Sequence, residues 1–352
     1  MILSIIIPLY NSAKYFDQCI NSILNQNINI EDYEIIIIDD GSTDNSVVIA
    51  ERYSSKQKNI HLHLQKNQGV SVSRNNGLKC AKGKYVYFVD SDDYLALNTL
   101  KKMIQSVLYN NLEILEFDMI RSNSRSYETS NTLNITEIDL KIQTGNQYMS
   151  TRSFNDSSCV YLFKRDFILK SKIKFIEGRT KQDMIFNAEI ISLARRVAYI
   201  PFDVYRYVIN PNSIWTSTEP LQFKKSIDDF VFVTIKYNDL ILKLENLEIN
   251  TSTLRSKQQI QLYNISKRLL QSDFKYSEVS SVINELYMHK LYPLHAVKGG
   301  GIYRQYLIFL FNKKKIFFLA ILLFRIFKVP FENIIVKNYR RKKENIIKTI
   351  YG

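Results

Sequence analysis

Two acidic clusters and one basic element hold the chemical potential of this sequence. Asp39-Asp40 closes the apolar run Glu34 to Ile38, and Asp90-Ser91-Asp92-Asp93 closes the run Lys84 to Val89. In an open α/β sheet, ligands bind outside the carboxyl ends of the strands. Five carboxylates meeting there repel one another unless a cation joins them. The one-residue gap between Asp90 and Asp92 suits a hard cation, Mg2+ or Mn2+, shared with a diphosphate. Between the clusters, Gln65-Lys66-Asn67-Gln68-Gly69-Val70-Ser71-Val72-Ser73-Arg74-Asn75 combines a loop, a glycine and a helix start. Backbone amides there, around Asn67 and Gly69, and the guanidinium of Arg74 can hold anionic or carbonyl oxygens. The four histidines and three cysteines have no metal-ligand spacing, and an odd, scattered cysteine set fits a reducing cytoplasm.

Positioning these groups takes an alternation of strands and helices. Leu3 to Pro8, Glu34 to Ile38, Ile60 to Leu64 and Lys84 to Val89 read as strands, and Ile114 to Phe117 follows as another. Helical spacing covers Ala13 to Gln26, Asp44 to Ser54, Val70 to Ala81 and Leu97 to Tyr109. Such alternation predicts an α/β fold with a mostly parallel sheet flanked by helices. The stretch Arg121 to Ser158 is polar and predicts loops and short strands. Val160 to Lys170 and Met184 to Arg196 read as helices, and the pattern is helical throughout about Leu221 to Lys290. The start of the chain reads as a buried strand rather than a secretion signal.

The chain has 352 residues, 45% hydrophobic and 23% charged, which excludes a mainly disordered or collagen-like chain and a multi-span membrane protein. Its net charge of +14 favours anionic partners. Much of that excess lies late: Asn312 to Lys343 holds ten basic residues and one acidic one. The apolar run Ile316 to Phe324 is shorter than the roughly 20 residues of a spanning helix. A basic amphipathic segment lying on an anionic leaflet suits it better, with a C-terminal helix pair packed on the core and a solvated basic tail as the alternative and nucleic-acid binding the weakest reading. We therefore expect three regions: a catalytic domain over 1–220, a helical domain over 221–300, and a basic, apolar C-terminal segment over 301–352 as a membrane-surface anchor.

Four ordered segments resemble the family 2 glycosyltransferases, which have the GT-A nucleotide-diphospho-sugar transferase fold. They are Ser4 to Asn11, Ile36 to Asp44, Asn67-Gln68-Gly69 with Ser73 to Gly77, and Gly83 to Asp93, spread over roughly 95 residues. The resemblance is detailed over about 1–120 and continues loosely to about 215. It implies that Tyr10, after Pro8, stacks on a uracil ring and that Asp39 accepts the uracil N–H. It puts Arg74 against the base and phosphates, with Asp40, Asn67, Gly69 and Ser91 also in the nucleotide site. Asp90 would face the ribose and metal, and Asp92 would ligate the metal. The family's later Glu-Asp pair corresponds to Gln182-Asp183, making Asp183 the catalytic base with Gln182 in place of the usual Glu. Tyr205-Arg206-Tyr207 and the segment to Trp215 resemble the part that closes over donor and acceptor, where Trp215 could stack on a sugar.

The activity so implied is inverting, metal-dependent transfer from a UDP-sugar to a hydroxyl of a cell-surface glycan precursor, lipid-linked or of lipopolysaccharide or capsule type. The expected location is cytoplasmic, peripheral at the inner face of the membrane. Two other classes remain open: a noncatalytic nucleotide- or glycan-binding protein, and a Mg2+-binding receiver-like signalling module, which should ignore UDP.

Overall fold

The computed structural model describes residues 1–122, 129–130, 132, 140–209, 220–295 and 301–327. The chain divides into two compact units, Met1–Gln258 and Gln259–Gly352. The first is built on an eight-stranded sheet in the order β3-β2-β1-β4-β7-β6-β8-β5. Its strands are β1 (Leu3–Leu9), β2 (Tyr33–Asp39), β3 (Ile60–Leu64), β4 (Tyr85–Phe88), β5 (Tyr94–Leu95), β6 (Ile114–Ser122), β7 (Tyr161–Lys164) and β8 (Val197–Val208). Strands β1 and β2 are buried at every residue, so each reads as a near-continuous apolar run rather than an alternating one, interrupted by Ser4 in β1 and by Glu34 and the terminal Asp39 in β2.

The register explains why the acidic turns meet. β1 pairs in parallel with β2 and with β4, placing Leu9 opposite Asp39 and Ile6 opposite Phe88. Asp39-Asp40 and Asp90 to Asp93 therefore leave the sheet at the same rim. Helices α1 (Ala13–Leu24), α2 (Ser46–Ser54) and α3 (Val70–Cys80) supply the crossovers between these strands.

Beyond β4 the expected mostly parallel arrangement changes. Four strand pairs are parallel, but β4–β7, β6–β7 and β5–β8 are antiparallel, so the sheet is mixed. Val160 to Lys170 is not one helix: it is a short 3-10 turn, strand β7, then α6 (Arg165–Ser171). The buried run Tyr161-Leu162-Phe163 has no periodicity that separates strand from helix; hydrogen bonding to β4 and β6 decides it. The long strand β8 was not expected, nor was α5 (Gly145–Thr151), although Thr144 and Gln147 form a capping box at its start. α4 (Leu100–Tyr109) and α7 (Gln182–Leu193) match their expected spans closely.

One inward-facing acid on β6 is kept by hydrogen bonds. Glu116 accepts from the Tyr148 hydroxyl at 2.6 Å and from the Asn155 amide at 3.2 Å. Burial nevertheless pushes its carboxyl above the usual range. α8 (Pro220–Glu245) completes the first unit apart from the start of α9 (Ser252–Gln271), which runs past Gln258. The second unit also holds α10 (Tyr276–Met288), α11 (Ile302–Phe311) and α12 (Lys314–Phe327).

Candidate active site

At the rim, Asp39 is buried at the end of β2. Its Oδ2 accepts the amides of Gly41 and Ser42, both at 3.1 Å, while its Oδ1 is buried with no partner. An orphaned carboxylate oxygen is costly unless a donor arrives. Gly41 has φ +74°, and a Cβ there would stand 3.0 Å from the Asn67 amide nitrogen, so the turn requires glycine. Tyr10, at the end of β1, is 48% exposed and offers its ring to the same rim, whereas Pro8 lies buried within the strand.

Asp40 does different work. Its Oδ1 accepts from Gln65 Nε2 and the Gln68 amide, both at 2.8 Å, and its Oδ2 accepts the Gly69 amide at 2.7 Å. It thus holds the loop that starts α3, with Gly69 at φ +91° and Asn67 exposed beside it. The Gly69 amide is thereby turned toward Asp40. Ser91 is buried and shares a 2.8 Å hydrogen bond with Ser12.

The centre of the site is Arg74. Its α3 position buries it, with the guanidinium 5.3 Å from the Phe175 ring centroid. One terminal nitrogen donates to Asp90 Oδ1 at 2.7 Å and the other to Asp183 Oδ1. Burial opposes the positive charge, but Asp183 and Asp90 outweigh it and hold the arginine protonated. Asp183 comes from the first turn of α7, where the helix dipole favours an anion. Gln182 Nε2 donates to the same Oδ1 at 3.0 Å, and the Ser158 amide donates to Oδ2 at 3.2 Å. These bonds fill three of about four lone-pair positions on a carboxylate. The side chain remains 19% exposed. Burial pushes the Asp183 carboxyl above its usual range, with Arg74 opposing and Asp90 adding to the rise.

Asp90 and Asp92 are half-buried on the turn after β4, and Asp93 is buried. Asp93 accepts the Val208 amide and the Tyr205 hydroxyl, each at 2.7 Å, and Tyr205 in turn takes the Asp90 amide at 3.2 Å. β8 therefore braces the acidic turn. Two hard oxygen donors, half-buried on one turn, fit a Mg2+ or Mn2+ ion shared with a substrate diphosphate, since such ions keep several non-protein ligands. Among the described residues no group of three or more His, Cys, Asp and Glu could by itself hold an ion. Trp215 lies outside the described residues.

Several positioning groups were not foreseen in that role, and Phe175, Thr180 and Asp229 lie in no motif. Ser71 Oγ donates to the Ile176 carbonyl at 2.8 Å, and Asn75 exchanges hydrogen bonds of 2.9 and 3.0 Å with the Phe175 backbone. Phe175 stacks on Phe186 of α7, with centroids 4.0 Å apart. From α8, buried Asp229 accepts the Thr180 amide at 3.0 Å, the Thr180 hydroxyl at 2.6 Å and Arg179 at 3.1 Å. The segment that enters α7 just before Asp183 is thus held from α3 on one flank and α8 on the other.

Comparison with known proteins bears on the family and the fold. The pattern for Glycosyl transferase family 2 matches residues 4–170. The chain is 33% identical over 219 residues to "Uncharacterized glycosyltransferase YibD" of Escherichia coli, covering 60% of this chain and 62% of that relative. It is 32% identical over 240 residues to "Poly(ribitol-phosphate) beta-N-acetylglucosaminyltransferase TarP" of Staphylococcus aureus, covering 66% and 69% respectively. The crystal structure of S. aureus TarS 1-349 in complex with UDP-GlcNAc superposes with a TM-score of 0.61 at 21% identity, covering 90% of this chain and 88% of that one. This likeness shows a shared fold, of the GT-A type with a helical C-terminal region. From residues 4 to 170 and from relatives matched over most of their length, the chain belongs to glycosyl transferase family 2.

Proposed function

We propose that this protein transfers a sugar from a UDP-sugar to a hydroxyl of a cell-surface glycan precursor, lipid-linked or of lipopolysaccharide or capsule type, with inversion at the anomeric carbon. The observation that carries this reading is Arg74, which ties the donor-side carboxylate Asp90 to Asp183 at one rim of the sheet. The buried, unpartnered Oδ1 of Asp39 supports uridine as the base, because the uracil N3–H supplies the missing donor. Tyr10 gives the ring a face to stack on. In support, TarS was crystallised with UDP-GlcNAc, and TarP carries the name of an N-acetylglucosaminyltransferase.

Asp90 and Asp92 would hold a divalent cation, which neutralises charge on the departing diphosphate when bound. Asp183 removes the proton from the acceptor hydroxyl as attack proceeds from the face opposite the diphosphate. Its raised pKa makes it a stronger base than a solvated aspartate, and Arg74, Gln182 and Ser158 fix its direction. An acceptor of this kind places the work at the inner face of the cell membrane.

The test is a panel of UDP-sugars with Mn2+, scoring UDP release with and without glycan acceptors, for wild type and Asp183→Asn. Acceptor-dependent release should vanish in Asp183→Asn while UDP still binds. Near-wild-type turnover of that variant would remove Asp183 from the mechanism.

A further inference from the structure

We propose that α11 and α12 form a docking face for an anionic bilayer surface, on which they lie without crossing it. One side of α12 is anchored to its own unit. Phe317 and Ile321 are fully buried, Phe311 meets Phe317 edge-on at 4.9 Å, and Arg325 donates to the carbonyls of Ser272 and Phe274. The opposite side is just as apolar and is left uncovered. Ile316, Leu319, Leu323 and Ile326 fall three, four and three residues apart, a single helical stripe, and are 48%, 55%, 45% and 73% exposed. On α11, Tyr306 and Phe309 are also three apart and are 58% and 57% exposed. A soluble helix hides one stripe; α12 has a second, and solvent does not explain it.

Charge selects the occupant. Residues 301–327 carry five basic side chains and no acidic one. Lys313 and Lys315, at the start of α12, are exposed beside the stripe. A second copy of this chain on a two-fold axis would bring like charges together. The chain's own 328–352 is a poor cover for the same reason, with seven basic residues against two acidic. Anionic headgroups over an acyl boundary meet both the apolar stripe and the lysines. The length agrees: α12 has 14 residues, and no helix among the described residues is long and apolar enough to cross a membrane.

The experiment is co-sedimentation of the full chain with vesicles of phosphatidylcholine alone or of an equimolar mixture with phosphatidylglycerol. It reads binding without turnover, so its outcome is separate from that of the proposed reaction. Wild type should bind the anionic vesicles, weakly bind the neutral ones, and be released by salt. Leu319→Gln/Leu323→Gln/Ile326→Gln, all at exposed positions, should lose most of the binding yet keep UDP affinity and soluble-acceptor turnover. Lys313→Gln/Lys315→Gln should weaken binding by about fivefold per charge, from roughly 1 kcal/mol each. The proposal is overturned if the triple-glutamine variant sediments like wild type. It is equally overturned if wild type binds only after removal of 328–352, or if the stripe instead supports a dimer in solution that ignores both vesicles.

Discussion

Replacing Asp229 with alanine should cripple turnover through the segment it holds just before Asp183. Asp229 is 1% exposed and takes three donors, two from Thr180 and one from Arg179. Arg179 is about a third exposed, so its ion pair is screened and contributes little. The Thr180 amide and hydroxyl cannot be rehydrated as easily, and hydrogen bonds to a charged acceptor are each worth about 1.5–3 kcal/mol. A combined loss of about 3 kcal/mol follows, since such terms do not fully add, and for a domain of this size it lowers Tm by roughly 6–12 °C. The catalytic effect has a separate origin. Thr180 lies three residues before Asp183. Release of the entry to α7 lets the carboxylate drift, and a displacement of about 1 Å can cost on the order of 100-fold. Steady-state UDP release well below both melting temperatures, with UDP affinity by calorimetry, separates the two effects. kcat should fall far more than UDP affinity, and Asp229→Asn, which keeps one acceptor oxygen, should be intermediate. Unchanged kcat with a lowered Tm would refute the positioning argument, as would equal losses in kcat and UDP affinity.

Other outcomes follow from the same geometry. Asp39→Asn should weaken UDP binding by roughly 10–100-fold, the worth of a hydrogen bond to a charged acceptor. The new amide should also narrow the preference for UDP over CDP, because it can donate to cytosine N3; an unchanged ratio counts against base reading by residue 39. The acid limb of kcat/KM should lie above the ordinary aspartate range, because burial raises Asp183 and only its ionised form accepts a proton. A limb at or below that range would deny Asp183 the role. Glu116 gives a stability test. Its folded-state pKa is raised, so its contribution is fully present below the unfolded pKa and is lost as pH rises through the folded one. Wild-type stability relative to Glu116→Gln should therefore grow as pH falls from above the raised folded-state pKa toward the ordinary glutamate range, checked by denaturant titration; a flat difference would contradict the burial effect.

β1, β2 and β4 were legible because parallel strands buried on both faces write themselves as apolar runs, and β2 and β4 run directly into acidic turns. Register then does what sequence cannot state, setting Leu9 opposite Asp39 and bringing the Asp90 turn to the same rim. Asp183 was reachable only through family likeness, since its neighbours in space, Arg74 and Ser158, are 109 and 25 residues away. β7 was misread because Tyr161-Leu162-Phe163 is too short for periodicity to speak. Asp40 sits beside Asp39 in the chain, yet burial gives it to the loop at Gly69, a division no spacing rule foretells. Asp229 lies 49 residues beyond Thr180 with no motif around it.

Arg74 has one positive charge and two carboxylate creditors, one at each terminal nitrogen. Substitutions at Asp90 and Asp183 should therefore not be independent: deleting either frees the guanidinium to compensate the survivor more fully, so the double variant departs from additivity. On the proposed assignment, the carboxylate that serves the nucleotide and the one that serves the acceptor share a single counter-ion, so a change at either is felt at the other.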